Sequence, residues 1–209
     1  MSKKLIITIA RQYGSGGREI GEILSRLLNI PLYDKEIIKV AADTGELDHG
    51  VAAKADETAT NSLLYTLAMG SNIAGATLPF GYRMPLNDKL FILQSDAIKA
   101  YAEEGSCIII GRCADYVLRD YANVLSLFIY GDLDHRKERV EQRHPEVKPS
   151  QIIDLINKTD KRRASYYNFY TGNKWGKYDN YDIAINSSTF GIQGTAQVLA
   201  TLAKQLMEE

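Results

Sequence analysis

The stretch R11-Q-Y-G-S-G-G-R-E-I20 sets two arginines around a glycine-rich turn. Guanidinium forks bind phosphate oxygens in pairs, and glycines let backbone N–H groups close around an anion where a helix begins. The chemistry this pattern suggests is the holding of an anion, a phosphate above all. Gly14, Ser15, Gly16 and Gly17 supply the cradle, with Arg11 and Arg18 at its sides.

Measured against the full phosphate-loop pattern G-x-x-x-x-G-K-[ST], the loop departs at three places. Aligned on Gly16, Arg11 stands at the first glycine, Gly17 at the lysine and Arg18 at the hydroxyl. Arg18 is the candidate replacement cation. A dinucleotide loop G-x-G-x-x-G fits Gly14 and Gly16, but Glu19 holds the third glycine position, where a side chain obstructs close helix packing. A tight turn that only serves helix-to-strand packing is the remaining alternative.

The elements that must position this loop follow from periodicity. The apolar run at 5–9 reads as a strand, and Ile20, Ile23, Leu24, Leu27 and Leu28 recur at helical spacing after it. Buried parallel strands are predicted at C107-I-I-I-G111 and V124-L-S-L-F-I-Y130, with a short one at D182-I-A-I185. Helices are predicted from Leu86, Leu90, Leu93, Ala97 and Tyr101, from Ile152, Leu155, Ile156 and Thr159, and over 193–207. Alternating strands and helices imply a doubly wound α/β sheet covered on both faces. Residues 45–85 break the pattern and predict a helical insertion with a flexible turn at 71–81; residues 135–181 are basic first and tyrosine-rich afterwards.

Several further side chains fall at informative places. Arg112 follows a predicted strand, at the carboxyl end where such sheets bind ligands. Asp34 opens the run K35-E-I-I-K-V and fits a helix N-cap. Arg136, Arg139 and Arg143 share one helical face, among Glu138 and Glu141. Asp160 and Arg163 are spaced to pair within D160-K-R-R163. The aromatic residues from Tyr166 to Tyr181 suit a seam between core and helix rather than a nucleic-acid platform, and His49, His135 and His144 have no metal or catalytic spacing.

Bulk properties exclude other classes. At 209 residues, one α/β domain is expected over 1–209. A net charge of -1 gives no field for nucleic acid or anionic membrane, so a small ligand is expected. No run approaches a membrane span and no signal-peptide pattern opens the chain, which predicts a cytoplasmic protein. Two cysteines, Cys107 and Cys113, read as reduced structural thiols.

Taken with I6-T-I-A-R-Q-Y-G-S-G-G-R-E-I-G21, the stretches Y33-D-K-E-I-I38, I108-I-I-G-R-C-A-D-Y-V-L118, D160-K-R-R-A-S-Y-Y and Y181-D-I-A-I-N-S-S188 resemble the cytidylate kinase-like family of P-loop proteins. The resemblance implies a three-layer sandwich, a mainly parallel sheet of about five strands, with a nucleoside-monophosphate-binding insertion near 45–85 and an arginine-rich lid near 135–178. It implies ATP as donor, Mg²⁺, and a nucleoside monophosphate such as CMP or dCMP as acceptor; a homodimer is expected independently of the resemblance. By the same resemblance Arg136 faces ATP, Arg112 holds the acceptor, and Arg162 and Arg163 neutralise the transition state. Asp34 orders acceptor or Mg²⁺ water, and Asp115 substitutes for the aspartate that such kinases commonly have where Cys113 stands. The changed loop leaves a second reading, a nucleotide-binding regulatory module of weak catalytic power.

Overall fold

The computed structural model describes residues 3–59 and 84–208. The turn expected at 71–81 therefore lies outside the described residues, as does most of the insertion.

Five strands, β1 (Ile6–Arg11), β2 (Leu32–Tyr33), β3 (Cys107–Ile110), β4 (Val124–Tyr130) and β5 (Ile183–Asn186), form one sheet in the order β2-β3-β1-β4-β5. Every pairing is parallel, with Ile9 of β1 between Ile110 of β3 and Leu127 of β4. Strands covered on both faces need apolar side chains on both, which is why Ile, Leu and Val dominate their sequences. The two-residue β2 was not legible in the sequence, because L32-Y33 is too short to carry a period.

Helices α1 (Gly17–Leu28) and α8 (Ser187–Glu208) cover one face. Their Ile20, Leu24, Leu199 and Ala203 pack with Ile7, Ile9, Ile108 and Ile110. On the other face α4 (Leu86–Glu104) buries Ile98 and Ala102 against Ile6, Cys107 and Ile109. Alternate residues of one strand thus serve opposite cores, as a period of two requires. Helices α2 (Lys35–Thr44) and α3 (His49–Ala55) form a satellite core with Leu90 of α4. One turn, α5 (Ala114–Val117), follows β3. Beyond β4 run α6 (Leu133–Arg143) and the long α7 (Pro149–Thr171). The tyrosine seam is present: Tyr166, Tyr167 and Tyr181 are buried with Phe128 and Cys113, and Trp175 packs on them. Both cysteines are free and buried, and no helix among the described residues is long and apolar enough to cross a membrane.

Because all five strands run the same way, their carboxyl ends share one edge. There β1 leads into the glycine loop, β2 into Asp34 and β3 into Gly111 and Arg112. The chain turns from the β2-β3 side of β1 to the β4-β5 side, which opens a crevice at that edge.

Leu24 is fully buried between α1, the sheet and α8. Leu24→Ala is expected to lower the unfolding free energy by about 2–5 kcal/mol through lost burial and a residual cavity. A urea titration of both proteins measures it; a loss below about 1 kcal/mol would mean that the α1 layer is not packed as described.

Candidate functional site

The crevice is a cavity of about 820 Å³, bounded by the glycine loop, the start of α2, the end of α3, Arg112, and the α6 and α7 side. Of the residues expected to act together, Arg11, Gly14, Gly16, Gly17, Arg18, Asp34, Arg112, Arg162 and Arg163 all line it. Ser15 is buried within the loop, its Oγ donating to the Gln12 carbonyl at 2.8 Å.

The loop is fastened from behind by its carbonyls. Arg136 Nε donates to the Tyr13 carbonyl at 2.8 Å, Arg139 Nε to that of Gly14 at 3.1 Å, and Ser187 Oγ to that of Ser15 at 2.7 Å. Three successive carbonyls are thereby satisfied from the side of α6 and α8. Gly14 and Gly16 take left-handed backbone (φ 81° and 79°), which lets the chain turn so tightly. Gly16 caps α1 without a side chain, and the amides of Gly17, Arg18 and Glu19 have no acceptor among the described residues. Helix-start amides of this kind, backed by the helix dipole, favour an anion.

The absent lysine has a structural explanation. A Cβ built on Gly17 would lie 2.6 Å from Arg11 Cβ and 3.1 Å from its Cγ. Arg11, at the place of the pattern's first glycine, runs its side chain through the space a residue at 17 would need. The departures at positions 11 and 17 are therefore linked, since the side chain of one excludes that of the other. Arg18 is half exposed, with Nε 3.1 Å from Glu22 and 3.5 Å from Asp34.

Around Arg11 lies a buried charge network. Its Nη1 donates to Glu57 Oε1 at 2.7 Å, while Arg163 Nε donates to Glu57 Oε2 at 3.1 Å and Arg163 Nη1 to the Arg11 carbonyl at 3.1 Å. Arg112 Nη1 donates to Asp34 Oδ1 (2.8 Å) and to the Ile110 carbonyl (2.7 Å), and its Nε and Nη2 grip Asp56 at 3.2 and 3.0 Å. Burial alone would raise the Glu57 carboxyl, but Arg11, Arg163 and Arg112 outweigh it and hold its pKa well below the ordinary value. Burial and the neighbouring Arg11 lower the pKa of Arg163, against the pull of Glu57. Burial acts downward on Arg112 too, yet Asp56, Glu57 and Asp34 together raise it. Arginine stays charged in either case.

Some assignments land elsewhere. Asp34 stands at the N-cap of α2 but makes no side-chain cap bond; its carboxylate serves Arg112. Arg136 is buried behind the loop, bonded to Asp160 Oδ2 at 2.5 Å. Asp160 also accepts from the Tyr13 amide at 2.7 Å, so Asp160 and Arg163 have separate partners instead of each other. Arg139 and Arg143 both pair with Glu19. Asp115 lies behind Arg112 beside a void of about 20 Å³, accepting from the Tyr167 hydroxyl at 2.7 Å; burial raises its carboxyl pKa. Arg162 is exposed on the cavity wall.

The sequence profile of the cytidylate kinase-like family matches residues 6–189. The chain belongs to that family. Among solved structures, an uncharacterized protein from Eubacterium ventriosum is 28% identical with a TM-score of 0.69, covering 96% of this chain and 98% of the other. Shikimate kinase from Bacteroides thetaiotaomicron is 14% identical with a TM-score of 0.55, over 96% and 98% of the two chains, which shows a shared P-loop kinase fold. No curated protein matches this chain.

For this cytidylate kinase-like protein, the pair Asp56–Glu57 is what sequence reasoning missed. The available signal was two acids side by side in the Ala-rich stretch D48-H-G-V-A-A-K-A-D-E57, at the end of a helical run. Tyr13 and His144 were also unforeseen: they meet at 2.7 Å on the cavity wall, with Glu146 2.9 Å from the other ring nitrogen. Residues 131 positions apart leave no trace of such a meeting in the sequence.

The exchange between positions 11 and 17 can be tested as a coupling. Gly17→Lys alone is expected to cost about 1–3 kcal/mol by overpacking. Combined with Arg11→Gly it should cost less than the sum of the two single changes, by roughly 0.5–3 kcal/mol. Urea unfolding of the four proteins reads this directly, and strict additivity would sink the idea.

Proposed function

We propose that this protein is an ATP-dependent phosphotransferase of the nucleoside monophosphate kinase type, passing the γ-phosphoryl group of ATP to CMP, dCMP or a related small acceptor. The observation that carries the reading is the convergence of uncapped α1 amides, Arg11 and Arg163 on one open cavity. Phosphoryl transfer asks little covalent chemistry of the protein; it asks for in-line positioning and for positive charge about the transferring group. In this reading the loop amides and Arg11 hold donor phosphates, and Arg163 with Arg162 follows the charge as it moves. Arg112 fixes the acceptor side through Asp34 and Asp56. Residues near 45–85 act as the acceptor-binding insertion, and the segment near 135–178, which carries α6 and α7, as the lid.

The donor set fits the phosphates but not a protein-bound metal. Among the described residues no three His, Cys, Asp or Glu side chains gather to hold an ion, and Asp34 is engaged by Arg112. Mg²⁺ accompanying ATP is then held by phosphate oxygens and water, as this cation often is.

One observation favours a second acceptor class. Four N–H bonds of Arg112 already go to Asp34, Asp56 and the Ile110 carbonyl, so the acceptor side presents carboxylates as much as a guanidinium. Carboxylates accept hydrogen bonds from hydroxyls, which suits a small alcohol in place of a monophosphate.

A coupled ADP-release assay over nucleoside monophosphates and small polyols is expected to show turnover on one class. Arg163→Ala should cut kcat about 10²–10³-fold, the scale for removing one charge-stabilising donor, and Arg11→Ala should raise the KM for ATP. Unchanged constants in both variants would refute these roles. Thermal stabilisation by ATP with no turnover on any acceptor would support the regulatory-module reading instead.

A further inference from the structure

We propose that the guanidinium groups of Arg11 and Arg163 form a phosphoryl site that the chain fills with its own carboxylate, Glu57, when no ligand is bound. This rests on the cavity being a phosphate site, as argued above, and adds that a segment of the protein competes for it.

The geometry is that of a bound anion. Each Glu57 oxygen takes a separate arginine, Oε1 from Arg11 at 2.7 Å and Oε2 from Arg163 at 3.1 Å. The carboxylate is pressed against Gly111, where a Cβ would lie 2.5 Å from Glu57 Oε1 and 2.3 Å from Arg11 Nη1. Glycine is thus required where an anion and its cation meet the end of β3. Glu57 is 6% exposed, yet Glu57, Arg11 and Arg163 all line the open cavity.

The backbone at Glu57 itself is held in an unfavoured conformation. Glu57 itself has left-handed backbone (φ 50°), a sparsely populated conformation for a non-glycine residue. Helix α3 ends two residues earlier, and Asp56 beside it takes Arg112 with both oxygens. Three arginines, Arg11, Arg112 and Arg163, therefore face three carboxylates, Asp34, Asp56 and Glu57: a balanced set with no ligand. A phosphoryl group arriving at Arg11 and Arg163 would carry two or more oxygens and a greater charge to the same donors. Two anions cannot share them without repulsion, so binding displaces the Glu57 side chain, while Asp56 keeps its bonds to Arg112.

Competition has a signed consequence. Apparent affinity falls by the fraction of molecules in which Glu57 has left the site, so a neutral side chain at 57 must tighten anion binding. A carboxylate that merely assembled the site would do the reverse.

The test is calorimetric titration of the full chain and its Glu57→Gln variant with inorganic tripolyphosphate, alongside ATP turnover. Tripolyphosphate is expected to bind the variant about tenfold more tightly or better; equal or weaker binding overturns the proposal. Should Glu57→Gln fail to fold, hydrogen exchange on the unaltered protein decides. Saturating tripolyphosphate should slow the amides of residues 14–19 and quicken those of 57–58, whereas protection of both segments overturns it. Tighter anion binding without turnover on any acceptor keeps this site and defeats the kinase reading. Turnover with unchanged tripolyphosphate binding does the opposite.

Discussion

Everything near the cavity depends on the cost of taking Arg112 out of water. A buried guanidinium is tolerable only if most of its donors are met and its charge is answered. With 4% of its surface exposed, Arg112 meets that demand by drawing Asp34 from the end of β2, Asp56 from beyond α3 and the Ile110 carbonyl from β3. It stands at φ 54° between Gly111 at 71° and Cys113 at 56°, so the chain leaves β3 through three successive residues of positive φ. Three elements far apart in sequence are thereby held to one point, and the cavity takes its shape from that point.

The same constraint explains what could be read from the sequence. Repetition is legible: the Ile and Leu runs gave the strands at 107–110 and 124–130, and helical spacing gave α4 and α7. The glycine loop was legible too, because its backbone needs glycines at fixed offsets. Ion pairing was not. Asp160 and Arg163 are spaced to meet on a helix, but tertiary partners at Tyr13, Arg136 and Glu57 are better placed. Glu57 pairs with residues 46 and 106 positions away, and no local period records such distances. Residue type showed that cations would gather; only the fold determines which anions meet them.

The loop illustrates how a motif can change its letters and keep its physics. A side chain after the last glycine and an arginine on the preceding strand exclude each other, so the loop has room for one cationic stem and not both. Arginine brings a planar fork where lysine brings a point charge, so geometry becomes more selective while charge is conserved.

The three carbonyl bonds behind the loop divide the freedom to vary. Arg136, Arg139 and Ser187 grasp backbone oxygens of Tyr13, Gly14 and Ser15, not their side chains. A side chain at position 13 can thus be exchanged without loosening that grip, while the grasping residues, whose own side chains make the bonds, cannot be exchanged so cheaply. In this protein the informative positions for the loop's polarity lie more than 120 residues downstream of it, on helices whose own sequences show no glycine-loop signature.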